Sequence, residues 1–101
     1  MKNKKNYYQT IGNMSELCKA LGNPTRLKIA FGLAEKEYCN VSIMVEALNI
    51  SQPGVSQHLT ILKNAGIVKV ETKGAERCYS IKNENIRSLI KLLKEFKHEE
   101  N

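Results

Sequence analysis

Between Ser51 and Gly66 the chain reads SQPGVSQHLTILKNAG. Wound at about 3.6 residues per turn, Gln52, Ser56, Gln57, Thr60, Lys63 and Asn64 share one arc. Amides, hydroxyls and an ammonium are the groups that pair with base edges in a major groove or with phosphate oxygens. No carboxylate interrupts them: Ala47–Val70 holds no acid, although the chain has ten elsewhere, every one a glutamate. A merely hydrated helix usually mixes Glu with Lys, whereas a face meant for phosphate excludes acids. The plain alternative is a polar surface that happens to lack them, and the helix alone does not separate the two readings.

Other chemistries are thinly supplied. The three cysteines, Cys18, Cys39 and Cys78, are odd in number and far apart, unlike a disulfide framework, and are expected to be reduced thiols. With two histidines, no aspartate and no phosphate-cradling glycine loop, no catalytic constellation emerges, so an enzyme is not expected. A net charge of +6 and a pI near 9.3 favour a polyanionic partner. No apolar run approaches a membrane span, and MKNKKNYYQT lacks the apolar core of a signal peptide. A cytoplasmic protein with no membrane partner is the expectation. At 101 residues and 42% hydrophobic, the chain suits one domain with a modest core.

The polar arc needs a helix beneath it. Ser51 is a good N-cap, Pro53 is tolerated in the first turn, and Gly66 suits the left-handed residue that ends helices. Val55, Leu59, Ile61, Leu62 and Ala65 fall on the opposite arc and should pack inward. Just upstream, Asn40 can cap a helix whose face is Val41, Met44, Val45 and Leu48, broken at Asn49. Two short helices joined by about three residues, the second polar on its outer side, match a helix-turn-helix. Past Gly66 the period becomes two. Val68 and Val70, then Tyr79 and Ile81, alternate with polar residues around Thr72-Lys73-Gly74-Ala75, which reads as a β-hairpin. Such a hairpin is a wing, with Lys73 near its tip and Arg77 on the return strand to meet phosphate or a minor groove; a small sheet closing the core is the alternative, and both can hold.

Outside this centre, Tyr7, Ile11, Met14, Leu17, Cys18 and Leu21 form one stripe on a first helix ending at Gly22. On that stripe Cys18 is by default a small buried hydrophobe. Asn23-Pro24 starts a second helix with Leu27, Ala30, Phe31 and Ala34 buried and Arg26 exposed in its first turn, facing a phosphate or water. Asn83 caps the last helix, whose stripe is Ile86, Leu89, Ile90, Leu93 and Phe96, with Leu92 alongside. The expected fold is mainly α with a small β-hairpin, a winged helix-turn-helix in the order four helices, two strands, one helix. Residues 1–6 read as a flexible basic tail, 7–97 as the DNA-binding and dimerisation domain, and 98–101 as a second tail. Two terminal stripes exceed what one small core needs. Tyr7, Ile11, Met14, Ile86, Leu89, Ile90, Leu93 and Phe96 are therefore expected to form a homodimer interface, the alternative being that both helices fold back on the same monomer.

KALGNPTRLKIA (Lys19–Ala30), ISQPGVSQHLTILKNAGIV (Ile50–Val68) and KGAERCYSI (Lys73–Ile81) resemble the ArsR/SmtB winged-helix repressors of bacteria, a resemblance running from about Met14 to Leu93. It implies that the fourth helix enters the major groove, with Gln52, Ser56 and Gln57 at bases or phosphates. His58 is often grouped with them in that family. Here it sits at the edge of the inward arc and reads as a partly buried, hydrogen-bonded histidine. The resemblance also implies an inducer that releases DNA, often a metal ion or arsenic(III). The chain departs from the known sites. Cys39-Asn40-Val41 lacks the second thiolate of a Cys-Val-Cys set, and Asn83, Asn85, Phe96 and Glu99 are a poor set for zinc, so no metal site is assigned. Relatives imply two uses for the thiols: a Cys18–Cys39 pairing across a dimer, or a cysteine pair, drawn here from Cys18, Cys39 and Cys78, attacked by persulfides or oxidants; the alternative is that all three thiols are structural or incidental.

The expectation is a sequence-specific, dimeric transcriptional repressor on an inverted-repeat operator in double-stranded DNA. Gln52, Ser56, Gln57, Thr60 and Lys63 would face bases and backbone, and Lys73 and Arg77 would anchor the wing. No cofactor is certain; a metal(loid) ion or persulfide chemistry at cysteine is the candidate signal. The rival is a winged-helix protein-interaction module whose polar helix docks on an acidic partner, with little affinity for duplex DNA.

Overall fold

Four polar side chains set the starts of four helices. Asn23 Oδ1 accepts from Arg26 N at 3.0 Å, Asn40 Oδ1 from Ile43 N at 3.0 Å, Ser51 Oγ from Gly54 N at 3.1 Å and Asn83 Oδ1 from Ile86 N at 2.9 Å. Each satisfies a backbone N–H that has no partner in the first turn, a contribution of about 1 kcal/mol apiece. The computed structural model describes residues 4–36, 38 and 40–96. Its elements run α1 (Lys4–Leu21), α2 (Pro24–Ala34), α3 (Val41–Leu48), α4 (Gln52–Asn64), β1 (Val68–Lys73), β2 (Glu76–Ile81) and α5 (Glu84–Phe96).

α1 starts at Lys4, so Lys4–Asn6, read from sequence as tail, are helical. No proline or glycine lies between Lys4 and Tyr7 to stop the helix. The rest of that tail, residues 1–3, and the whole of the second, 98–101, lie outside the described residues. Asn49 closes α3 in the left-handed region at φ 57°, its N–H bonded to Val45 O at 2.9 Å. The turn to α4 is Asn49-Ile50-Ser51.

The end of α4 explains why Gly66 stands there. Ile67 N donates to Leu62 O at 3.0 Å and Gly66 N to Lys63 O at 3.0 Å, with Gly66 at φ 82°. This pair of bonds satisfies two carbonyls at the helix end and needs a left-handed residue, which costs glycine least. The chain then enters an antiparallel hairpin with Val68 opposite Ile81, Val70 opposite Tyr79 and Lys73 opposite Glu76. Its turn is only Gly74-Ala75. Thr72 and Lys73, expected in the link, extend the strand instead.

α2 is the centre of the packing, touching α1, α4, α5 and β2. Ile29, Leu33, Met44, Val55, Leu59, Leu62, Ile67, Val68 and Ile90 are the large, fully buried side chains of the core. Because several elements pack against α2, its buried arc is wider than one stripe: Ile29 and Leu33 are buried with Ala30 and Ala34, while Leu27 and Phe31 are half-buried. Gly32 receives the Tyr38 ring, which would overlap a Cβ at that position. Arg87 Nη1 donates to Ala34 O at 2.7 Å, tying α5 to the end of α2. Two assignments change. Ile61 is 37% exposed, and Ile90, expected on a dimer face, is 0% exposed in the single-chain core. With Ile86 and Leu93 it makes an i, i+4, i+7 row against the body, leaving Leu89, Leu92 and Phe96 to face out.

Candidate nucleic-acid interface

Val55, Leu59 and Leu62 are buried beneath α4, which turns Gln52, Ser56, Gln57, Thr60, Lys63 and Asn64 outward, all exposed. Thr60 Oγ1 donates to Ser56 O at 3.0 Å, so its proton is committed to the helix and its lone pairs remain for an outside donor. The N-terminal end of this arc meets the wing. Gln52 lines a cleft of about 240 Å³ with Asn40, Val41, Ser42, Ala75, Glu76 and Arg77. The fold thus brings together Gln52 and Arg77, far apart in sequence; Thr60 and Lys63 lie further along α4, and Lys73 is exposed on the last rung of the hairpin.

Arg77 does not simply extend into water. Its guanidinium carbon stands 5.8 Å from the centroid of the Tyr79 ring, two residues along the same strand face. The ring restrains the side chain at the mouth of the cleft. Of the polar residues of that cleft, Asn40 was read from sequence only as a helix cap and Ser42 was not picked out at all. The available signal was their position at the N-terminus of the first helix of the pair, where backbone N–H groups favour anions. Glu76, in the same cleft, is an acid that the acid-free stretch of sequence does not cover.

Behind the outer arc lies a linkage that sequence reading split into unrelated parts. Arg26, expected exposed, is half-buried. Its Nε donates to Ala20 O at 2.7 Å, and its Nη1 stands 3.3 Å from His58 Nδ1. Arginine has no acceptor, so His58 Nδ1 accepts and the ring proton sits on Nε2. Burial first, and the Arg26 charge second, hold the His58 pKa below the usual 6.5. His58 is the partly buried, hydrogen-bonded residue expected from its place on the wheel.

A second side of the molecule is apolar. Tyr7, Tyr8, Ile11 and Met14 of α1 and Leu89, Leu92 and Phe96 of α5 are exposed, and Ile86 and Leu93 are half-buried. Leu17, Cys18, Leu21, Gly22, Leu27, Leu89 and Leu93 line an apolar cleft of about 290 Å³ where α1, α2 and α5 meet. Cys18 was expected buried on the α1 stripe; it is exposed and free, because that stripe is uncovered in the single chain. Cys78 is half-buried and disulfide-bonded, against the expectation of reduced thiols. Cys39 lies outside the described residues. Among the described residues no three His, Cys, Asp or Glu side chains gather as a metal site, and no helix is long and apolar enough to cross a membrane.

Residues 23–70 match the family described as bacterial regulatory protein, arsR family. The chain is 42% identical over 81 residues to an uncharacterized HTH-type transcriptional regulator of Methanocaldococcus jannaschii, covering 80% of this chain and 91% of that one. It is 35% identical over 86 residues to the transcriptional repressor PagR of Bacillus anthracis, covering 85% and 86%. The PagR crystal structure superposes with a TM-score of 0.76 over 85% of this chain and 98% of that one. The homodimeric winged helix-turn-helix DNA-binding domain of a Mycobacterium bovis protein superposes with a TM-score of 0.87 at 26% identity, over 97% and 90%. The chain is accordingly a transcriptional regulator rather than an enzyme, and it belongs to the arsR family of bacterial regulatory proteins.

Proposed function

We propose that the protein is a homodimeric, cytoplasmic repressor that lies across an inverted-repeat operator, with α4 of each subunit in a major groove and the hairpin on adjacent backbone. The observation that carries this reading is the exposed, acid-free outer arc of α4. Gln52, Ser56 and Gln57 face base edges, Thr60 and Lys63 the flanking backbone, and Lys73 and Arg77 the phosphates beyond. The exposed apolar residues of α1 and α5 support a second copy as the cover for that side, and the Mycobacterium bovis neighbour is itself homodimeric. Ile90 drops out of that interface; Tyr7, Ile11, Met14, Leu89 and Phe96 are exposed to form it, and Ile86 and Leu93, half-buried against the body, can only border it.

The signal that releases DNA is proposed to act on cysteine thiols, as a metalloid ion or a reactive sulfur species. The donors at the start of α5 do not suit zinc: Asn83 is neutral and its Oδ1 already caps the helix. Cys18 offers a free thiol, exposed in the single chain on the side a second copy would cover, and Cys78 is already part of a disulfide.

Fluorescence anisotropy of the reduced protein with DNA from upstream of its own gene, across a salt series, tests the reading. Tight, salt-dependent binding that arsenite or polysulfide abolishes and zinc leaves unchanged is the expected result and identifies the signal. Binding indifferent to all three keeps the repressor and removes the thiol proposal. No binding under any condition favours the interaction module.

A further inference from the structure

We infer that Arg26 is a positioning residue for DNA reading, locking α4 through His58 to the C-terminal end of α1. The inference rests on α4 being the recognition helix and adds how its rotation is fixed. Arg26 is anchored three ways: Asn23 Oδ1 accepts from its backbone N at 3.0 Å, its Nε donates to Ala20 O at 2.7 Å, and its Nη1 meets His58 Nδ1 at 3.3 Å. Ala20 lies in the last turn of α1, where carbonyls lack helical partners. One planar guanidinium therefore spans the end of α1, the start of α2 and the middle of α4. A cleft of about 350 Å³ opens beside it, lined by Lys19, Ala20, Arg26, Ile61 and Asn64 among others, so side-chain packing alone does not join α1 to α4 there.

His58 is adjacent to Gln57 and two residues from Ser56. Side-chain ends lie about 5–6 Å from a helix axis, so a roll of about 20° carries the outer face through about 2 Å. That displacement exceeds what hydrogen bonds to base edges tolerate. Phosphate contacts from flexible lysines would survive it. The linkage therefore acts on sequence discrimination, and it transmits any movement of the apolar α1 side to the reading face. Arg26 is not itself a phosphate contact, because it is half-buried with its Nε and one Nη committed inside the protein.

The test uses the full chain, with anisotropy on DNA from upstream of its own gene and on a random duplex of equal length. Arg26→Lys keeps the charge but cannot span both acceptors. His58→Leu removes the acceptor, and His58→Gln supplies an amide oxygen in its place. Expected are losses of about tenfold on the upstream DNA for Arg26→Lys and for His58→Leu, the size of one charge-assisted hydrogen bond. Random-duplex affinity should not change, Arg26→Lys/His58→Leu should be no worse than either single variant, and His58→Gln should recover most of the loss. Circular dichroism confirms the fold, and the His58 Nδ1 resonance, followed by NMR, should shift in Arg26→Lys as its hydrogen bond is lost. Equal losses on both DNAs, additive losses, or an unchanged Nδ1 resonance overturn the inference while α4 stands as reader. If the wild type shows no preference for upstream DNA, the proposed function and this inference fail together.

Discussion

Two outward faces of this molecule differ in kind. The outer arc of α4 presents amides, hydroxyls and a lysine, all of which water satisfies. The α1/α5 side presents Tyr8, Met14, Leu92 and Phe96 at 62%, 57%, 58% and 65% exposure. Each large apolar side chain left in water forgoes about 1.5–3 kcal/mol of burial. The polar face can therefore stand unpartnered at no cost, while the apolar face is penalised until something covers it. The difference sorts the two proposed partners: the second copy is permanent and DNA is occasional.

The most damaging way to break that contrast is to make the apolar side polar. Leu89→Glu places a carboxylate on the α1/α2/α5 cleft and should yield a monomer by sedimentation velocity, with upstream-DNA affinity down by more than about a hundredfold because both half-sites must be engaged together. A dimer that persists would show that these helices do not pair. Replacing Gln52 and Gln57 together with alanine should leave the dimer intact and weaken upstream DNA by about thirtyfold or more, since a good bidentate base contact discriminates by about 1–3 kcal/mol. Unchanged affinity would move the reading face elsewhere. Arg77→Ala should weaken upstream and random DNA alike by a few-fold and lower the salt slope by about one, the behaviour of a phosphate contact; a loss confined to upstream DNA would assign it a base.

The smallest effect concerns protonation. His58 has a folded-state pKa below 6.5, so the unfolded chain takes up its proton first. Fold stability from this residue is whole above about pH 6.5, falls as the pH drops below that value, and is fully lost beneath the folded pKa. Thermal unfolding between pH 5 and 8 should show the wild type losing more stability on acidification than His58→Gln, in which the other titrating groups are shared. Parallel curves would mean that burial and Arg26 leave the ring unperturbed.

What sequence revealed here was local. Asn23, Asn40, Ser51 and Asn83 each act on a backbone N–H three residues away, so their role was readable without knowing the fold. Gly66 and Asn49 likewise end helices by their own conformation. The three-residue turn and the period-two strands placed the hairpin and the polar arc correctly. The failures all depend on what lies across space. Ile61 and Ile90 exchanged roles because a wheel gives a direction but not the neighbour it meets. Ile29 and Leu33 were missed because several elements pack on α2. Arg26 was read as exposed because its acceptors, on α1 and on α4, are 6 and 32 residues distant. Cys18 was read as buried because its stripe looked like core, although within one chain that stripe has nothing over it.

The wing is closed by two residues, and its last rung is Lys73 opposite Glu76. Nothing lies within 4 Å of where a side chain on Gly74 would begin. The rungs that matter for the core, Val68 with Ile81 and Val70 with Tyr79, are at the other end. Residues inserted in matched pairs beside Gly74 would lengthen the hairpin by about 3.4 Å per pair without shifting those inner rungs or turning Tyr79 outward. Reach along the duplex is thus an evolutionary variable uncoupled from the stability of the domain, open to adjustment by insertion where the rest of the chain allows only substitution.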